Sequence, residues 1–276
     1  MKFIRKFLIA LLLLLFSAAG CIESVEAPWN TEPIPVAFSV ITPGHPIEVY
    51  LGKTYTEKDT TQTNLYPEAR VFVCGVDSVW VELTRRTADT AIFSDIDNQL
   101  AVEKGKTYSL RIELKDKTLH AQTSVPNESG VITWAECIVT DTSSFRSTYG
   151  IRNVVGALRV NYSLPANKQL GCYLFANSRE VGYTAYISGE NIQESYFFCY
   201  KDSTSFLLNL ITMDPYLKKF RVTTSINELQ STDFLSAILG SYGGVRPTFS
   251  NIQNGTGLFG SFVTESKKVE ITVIAK

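Results

Sequence analysis

Five cysteines carry the chemistry that can be read most directly from this chain of 276 residues. Cys21 stands apart because small residues precede it at the end of an apolar run. The others are Cys74, Cys137, Cys172 and Cys199. None of them forms the Cys-x-x-Cys pattern that is typical of thioredoxin-like redox sites and structural zinc sites. An even number in an oxidising compartment permits disulfides, and we expect Cys172–Cys199 as the pair, with buried free thiols as the alternative.

The first twenty residues have the layout of an export signal. Lys2, Arg5 and Lys6 precede an uninterrupted apolar run over residues 7–16, and small residues follow at 17–20. A helix over residues 7–20 would measure roughly 21 Å at 1.5 Å per residue. Because the hydrocarbon layer of a bilayer is about 30 Å thick, this run is too short to span it. The sequence therefore predicts a signal peptide over residues 1–20.

The tetrapeptide Ala18-Ala19-Gly20-Cys21 resembles the bacterial lipobox, although Ala18 stands where most such signals carry leucine. This resemblance implies that the Cys21 thiol is diacylated and that its new amine is acylated. Acyl chains contribute about 0.8 kcal/mol per buried methylene, so two or three chains would hold the protein on the bilayer. The alternative is an ordinary signal peptide that is cleaved nearby, with Cys21 incidental.

The residues after Cys21 bear on where the anchored protein resides. Ile22, rather than aspartate, follows the cysteine, and by resemblance to the lipoprotein sorting rule this implies the outer membrane. Glu23 and Glu26 resemble the acidic surface-export signals of some Bacteroidetes lipoproteins, which implies exposure on the cell surface. The alternative is a plain soluble tether over residues 21–35, in which prolines stiffen the chain.

Composition narrows the class of partner. The net charge of −1 becomes −4 once the three positive charges of the signal peptide are removed. Without a basic excess, we expect no nucleic-acid partner. A hydrophobic content of 45% and an aromatic content of 12% predict a folded body rather than a disordered one.

Few residues could perform catalysis. His45 lies in a Pro/Gly-rich loop and His120 on the polar face of a strand, and neither has a metal-ligand spacing. Asp95 and Asp97 could share a strand face and bind calcium or flank a glycosidic bond. Their pattern ends at Asn98, which favours a turn with carboxylate–backbone hydrogen bonds. We therefore expect no enzyme activity, no catalytic residue, no metal and no cofactor.

Aromatic residues are dense in the segments CYLF, GYTAY and SYFFCY of the second half. Alternate residues of a strand point to opposite faces, so about half of these rings should be buried. The other half could form an exposed platform that stacks on sugars or a hydrophobic ligand, and the two candidate sets are Tyr173 and Phe175, or Tyr196, Phe198 and Tyr200. Packing in the core is the favoured interpretation.

The elements that position these residues are strands almost throughout. Apolar and polar residues alternate over 107–114 and again over 118–125, which predicts a hairpin with its turn at 115–117. Similar runs follow about every ten residues, typical of an antiparallel β-sandwich. Residues 126–130 break the pattern, and we predict two all-β domains, 36–126 and 131–276. The segment 218–226 is predicted as a strand, and apolar residues at helical spacing predict one helix near 227–242.

The C-terminal segment carries a distinctive motif. Pro247, the triplet 250–252 and the glycine-rich stretch 255–260 resemble the closing motif of a large uncharacterised family of Bacteroidetes lipoproteins. The resemblance implies an immunoglobulin-like or carboxypeptidase-regulatory-like N-terminal sandwich. It also implies a gene neighbourhood with TonB-dependent transporters, and hence an accessory binding or partner protein in nutrient uptake. An envelope-structural or adhesive lipoprotein is the alternative.

The glycines of this motif have a structural explanation of their own. Asn251, Asn254, Gly255 and Gly257 permit positive φ, so the chain can turn tightly and return Phe259 to the sheet. A phosphate-binding loop is the alternative, but it would need lysine and a helix start directly after the glycines. Leu258 follows instead, so a structural turn is favoured.

Overall fold

The computed structural model describes residues 33–54, 66–87, 90–146, 152–178, 181–187, 192–200, 204–224 and 249–274. All of these residues belong to one compact unit of the chain. The predicted signal peptide, Cys21 and the tether as far as residue 32 lie outside the described residues. Within the described residues, no helix has the length and apolar character needed to cross a membrane.

The described residues form fourteen strands and one helix, which confirms the all-β prediction. The strands of the first half are β1 (Pro35–Ile41), β2 (Glu48–Lys53), β3 (Arg70–Cys74), β4 (Trp80–Arg85), β5 (Ile92–Ser94), β6 (Thr107–Glu113) and β7 (Thr118–Ser124). Those of the second half are β8 (Val131–Arg146), β9 (Arg152–Ser163), β10 (Gly171–Ser178), β11 (Val181–Ile187), β12 (Ile192–Tyr200), β13 (Ser205–Met213) and β14 (Thr256–Val273). The helix α1 (Pro215–Thr224) lies between β13 and β14.

Strands β1 to β7 surround the first hydrophobic core and form, with the start of β14, the N-terminal lobe. The predicted hairpin of β6 and β7 is confirmed, with Leu110 opposite Ala121 and Ile112 opposite Leu119. Buried residues of the hairpin alternate with more exposed ones, as expected when one face of each strand packs on the core and the other faces solvent. Each buried leucine or isoleucine contributes roughly 1.5–3 kcal/mol.

Strands β8 to β13 and the end of β14 form the C-terminal lobe around a second core. Their order is β13-β10-β11-β12-β9-β8-β14, and β14 also pairs with β13, so the strands close into a ring. Each of these strands has two paired neighbours, although β11 meets β12 only at Val181 and Cys199.

The last strand, β14, belongs to both lobes. It pairs with β1 in parallel from Thr256, then with β13 antiparallel, and finally with β8 in parallel up to Val273. The sheet is therefore mixed, whereas the sequence predicted antiparallel sandwiches, because the final strand returns to the first. Val125 belongs to the first core and Ile132 to the second, but Phe259 on β14 is in the first and Val269 in the second. Strand β14 thus contributes to both cores.

The glycine-rich motif has the predicted structural role. Asn254 adopts φ +61° and Gly257 φ +126°, while Asn251 and Gly255 do not need positive φ, and Phe259 is fully buried. A Cβ at Gly257 would lie 1.8 Å from the carbonyl oxygen of Ala37, so only glycine fits beside β1. The Asn251 amide exchanges two hydrogen bonds with the Phe259 backbone, at 2.8 and 2.9 Å.

The same motif covers the outer edge of β7. Gln253 N donates to His120 O at 2.8 Å, and Asn254 Nδ2 donates to Thr118 O at 2.8 Å. An uncovered edge strand would present unpaired backbone groups to other chains. The motif therefore protects β7 as well as turning the chain.

The segment 218–224 is helical, where the sequence predicted a strand. Residues 218–224, predicted as part of a strand, belong to α1, and the predicted helix near 227–242 lies outside the described residues. Leu217, Phe220 and Arg221 follow the helical spacing and are buried. Leu217 and Phe220 belong to a third hydrophobic cluster, together with Phe38 of β1 and Leu258 of β14. Packing of this face, rather than strand alternation, decides the segment's structure.

Candidate functional site

Asp214, between β13 and α1, is a completely buried carboxylate. Its Oδ1 atom accepts hydrogen bonds from the backbone nitrogens of Tyr216 at 2.6 Å and Leu217 at 2.8 Å. These donors belong to the first turn of α1 and have no partner within the helix. Asp214 is therefore the N-cap of α1, with Pro215 at the first helical position, where its missing N–H costs nothing.

The other carboxylate oxygen of Asp214 joins the two lobes. Oδ2 lies 2.7 Å from Thr123 Oγ1 and 2.9 Å from Ser261 Oγ, and it also accepts a hydrogen bond from the Ser261 backbone nitrogen. Asp214 N donates in turn to Ser261 O at 2.9 Å. Thr123 lies at the end of β7 and Ser261 in the middle of β14. We call Thr123, Asp214 and Ser261 the junction cluster, because they connect β7, β14 and α1.

Burial governs the electrostatics of the junction cluster. Loss of solvent raises the pKa of the Asp214 carboxyl above its ordinary value, although the hydrogen bonds from Thr123, Leu217 and Ser261 act in the opposite direction. A hydroxyl beside a carboxylate is a pairing from which a nucleophile and its base can be built. All three side chains are at most 1% exposed, so no substrate could reach them without separating the lobes. The cluster therefore has a structural role, which is to connect β7, β14 and α1.

The second candidate is a stack of rings and guanidinium groups on the outer face of β3, β4 and β6. The Arg111 guanidinium carbon lies 4.6 Å from the ring centres of both Trp80 and Phe72. Arg70 lies 4.8 Å from the Phe72 ring. Cation–π attraction favours each of these contacts and orders the long arginine side chains. We call these four residues the aromatic–guanidinium stack.

Two carboxylates complete this stack. Arg70 donates to both oxygens of Glu82, at 2.9 and 2.8 Å, and Arg111 Nε lies 3.3 Å from Glu113. The hydrogen bond from Arg70 lowers the pKa of Glu82 below its ordinary value. Two positive and two negative side chains therefore balance across this face.

The turn between β3 and β4 adds exposed apolar residues next to the stack. Val76 and Val79 are exposed, and Trp80 begins the next strand. Successive antiparallel pairings from β1 through β2, β5 and β4 place this turn at the end of the lobe opposite to Pro35. The molecule thus presents an apolar tip beside an ordered, charge-balanced face.

The structure does not contain the predicted Cys172–Cys199 bridge. Cys172 is a buried free thiol, 3.6 Å from Thr212 Oγ1, and the Cys199 side chain lies outside the described residues. In the ladder of β10, β11 and β12, Cys199 lies level with Ser178, at the far end of β10 from Cys172. That placement separates the α-carbons by roughly 20 Å. A disulfide requires about 4.4–6.8 Å.

The other residues considered from the sequence are placed as follows. His45 and His120 are exposed, as expected. Asp95 accepts hydrogen bonds from Gln99 N at 3.0 Å and Leu100 N at 2.8 Å, which confirms a carboxylate-stabilised turn there. Among the described residues, no group of histidine, cysteine or carboxylate side chains could hold a metal ion.

The structure describes the side chains of one of the two aromatic sets considered from the sequence. Tyr173 and Phe175 are buried in the third hydrophobic cluster, which confirms core packing for that set. The side chains of Tyr196, Phe198 and Tyr200 lie outside the described residues. Exposed rings among the described residues include Trp80 in the N-terminal lobe and Trp134 in the C-terminal lobe.

Sequence reasoning missed both candidate sites. The Asp214-Pro215 pair is a helix-start signal in the sequence, and it would have predicted a helix from residue 215. The aromatic–guanidinium stack has a weaker signal, because alternation assigns Phe72, Trp80 and Arg111 to strands but does not place them side by side. Only the pairing of β3 with β4 and β6 does so.

Comparison with known proteins places these features in context. The family model described as "Domain of unknown function (DUF4249)" matches residues 24–268. Among solved structures, the alpha chain of the chicken interferon gamma receptor is similar with 8% sequence identity and a TM-score of 0.21, over 66% of this chain and 90% of that chain. A TM-score this low supports no argument about fold or function. None of the curated proteins matches this chain.

Proposed function

This chain belongs to the DUF4249 family of domains of unknown function, and from that premise we propose that it is a lipid-anchored outer-membrane protein. Its role is non-catalytic: it is an accessory binding partner of a TonB-dependent nutrient-uptake system. Cys21 carries the acyl chains, and the described fold is the part that meets the partner.

The observation that carries the anchor is the position of Cys21 between two segments of different character. An apolar run and small residues precede it, and the family match begins at residue 24. The first strand begins at Pro35. This arrangement supports a removed leader, an acylated cysteine and a short tether before a folded body.

Two features support a binding role over a hydrolytic one. The carboxylate–hydroxyl arrangement of the junction cluster is closed to solvent and serves as a joint. The aromatic–guanidinium stack, by contrast, exposes Trp80 and Arg70 to solvent, and its rings and guanidinium groups are in contact. Ordered, accessible aromatic and arginine side chains are typical of binding surfaces.

The anchor is tested by Cys21→Ser in the source cells. We expect loss of radiolabelled palmitate from the protein and transfer of the protein from the membrane pellet to the soluble fraction. Cys74→Ser is the matched control, because Cys74 is a half-buried thiol of the fold. A Cys21→Ser protein that sediments with membranes as before would overturn the lipid anchor.

The partnership is tested by purification of the tagged wild-type protein from solubilised outer membranes. We expect a TonB-dependent transporter to be recovered in stoichiometric amount. Protease treatment of intact cells distinguishes a surface-exposed body from a periplasmic one. Recovery of no transporter, together with binding to cells or matrix, would instead support an envelope-structural or adhesive role.

A further inference from the structure

We propose that the β3–β4 tip and the adjoining stack form the docking face for the partner protein. This docking face consists of Val76, Val79, Trp80, Arg70 and Arg111. The inference rests on the proposed function, in which that partner is a TonB-dependent transporter. The patch it fits on the partner is apolar at its centre and close to neutral in charge.

The centre of the docking face is apolar and accessible. Val76 is 48% exposed, Val79 62% and Trp80 38%, all within five consecutive residues. Isolated exposed apolar residues are common, but adjacent ones with an ordered polar surround mark interaction sites. Burial of these three side chains by a partner would remove apolar area from water in the way the hydrophobic effect favours.

The docking face is ordered before it binds. Arg111 stacks on Trp80 and Phe72, and Arg70 is held against Phe72 by its two hydrogen bonds to Glu82. Side chains that are already immobile lose little conformational entropy on association. Tryptophan and arginine are also the residue types that most often dominate binding free energy at protein interfaces.

Charge and position favour a protein over a bilayer as the occupant. Arg70 and Arg111 are balanced by Glu82 and Glu113, and exposed Asp77 lies within the turn itself, so nothing here attracts an anionic lipid surface. The turn also lies at the end of the lobe opposite to Pro35, where the chain enters from the anchor side. The apolar tip therefore lies at the far end of the lobe from the residue at which the described fold begins.

The chain offers a matched control in its other lobe. Trp134 on β8 is 43% exposed, close to the 38% of Trp80, but it lies in the C-terminal lobe. Leu207 on β13 is 47% exposed and serves the same purpose for Val79. Substitution at these sites removes similar exposed apolar area away from the docking face.

The first experiment measures transporter recovered with tagged Trp80→Ala, Val79→Asp and Trp134→Ala proteins from solubilised outer membranes. We expect at least tenfold less transporter with Trp80→Ala and with Val79→Asp, and a change below twofold with Trp134→Ala. Thermal unfolding of each variant verifies the fold. Val79→Asp keeps the test decisive if Trp80→Ala fails to fold, because the Val79 side chain is largely in water.

The second experiment places a photo-crosslinking amino acid at position 79 or, as the control, at position 207 in intact cells. We expect a transporter adduct from position 79 and none from position 207. If wild type recovers the transporter and both docking-face variants recover it equally, the docking face is wrong while the proposed function stands. If wild type recovers no transporter, the proposed function fails and the docking face fails with it.

Discussion

Asp214 and Glu82 are two carboxylates whose pKa values are shifted in opposite directions. Asp214, in the junction cluster, is fully buried, and loss of solvent raises its pKa. Glu82, on the outer face of β4, is exposed, and the hydrogen bond from Arg70 lowers its pKa. Both accept several hydrogen bonds, so access to water decides the direction. The buried junction cluster connects the two lobes, whereas the face around Glu82 is accessible to solvent.

We expect the largest loss of stability from Gly257→Ala, at the point where β14 lies against β1. A Cβ there would overlap the Ala37 carbonyl oxygen, and φ +126° is unfavourable for alanine. We expect a loss of more than about 3 kcal/mol in the free energy of unfolding, or failure to fold. The free energies of unfolding of the variant and of wild type are compared by chemical denaturation.

Gly44→Ala is the matched control, since Gly44 has φ +80° with nothing within 4 Å of its Cβ. Its expected cost is only about 1–2 kcal/mol, from the positive φ alone. Equal losses for the two variants would contradict the close approach of β14 to β1.

Asp214→Ala should have the next largest effect. It removes the N-cap of α1 and leaves the Ser261 backbone nitrogen without its acceptor, while the Thr123 hydroxyl keeps only Ser261 Oγ at 3.1 Å. A lost cap costs about 0.5–2 kcal/mol and each buried unpaired donor about 1–3 kcal/mol. We expect a total loss of about 3–5 kcal/mol in the free energy of unfolding, measured by denaturation.

Glu82→Ala is the counterpart on the exposed face. Its ion pair is surrounded by solvent, so the free energy of unfolding should fall far less than in Asp214→Ala. A loss at Glu82 as large as that at Asp214 would show that burial does not separate the two regions.

The smallest expected effect is the change in the free energy of unfolding with pH. The contributions of the two carboxylates should change with pH in opposite directions. The pKa of Asp214 is raised in the folded state, so its contribution is present at acid pH and lost as pH rises from its ordinary value of 3.8 through the folded pKa. The pKa of Glu82 is lowered, so its contribution is present above its ordinary pKa and lost as pH falls through the folded value.

The measurement compares unfolding free energies of wild type, Asp214→Asn and Glu82→Gln across acid pH. Relative to wild type, Asp214→Asn should gain stability as pH rises, whereas Glu82→Gln should gain stability as pH falls. Slopes of the same sign for the two variants would contradict the assignment of burial as the dominant cause at Asp214.

Local patterns predicted much of this fold correctly. The β6–β7 hairpin, the turn at Asp95 and the return of Phe259 to the sheet follow from residues that are close in the chain. In each case alternation, a carboxylate near free backbone nitrogens or a glycine permits few other structures. The segment 218–224 was predicted wrongly as strand, because its buried face forms only when α1 packs on β1 and β14.

The sequence by itself determined the strand character of the chain and the tight turn before β14, because each depends on neighbouring residues. Only the tertiary structure decided that β14 joins two lobes, that Thr123 meets Asp214 from 91 positions away, and that Trp80 stacks on Arg111. Such contacts depend on which strands pair and in what register. Alternation specifies the face of each residue but not its neighbour across the sheet.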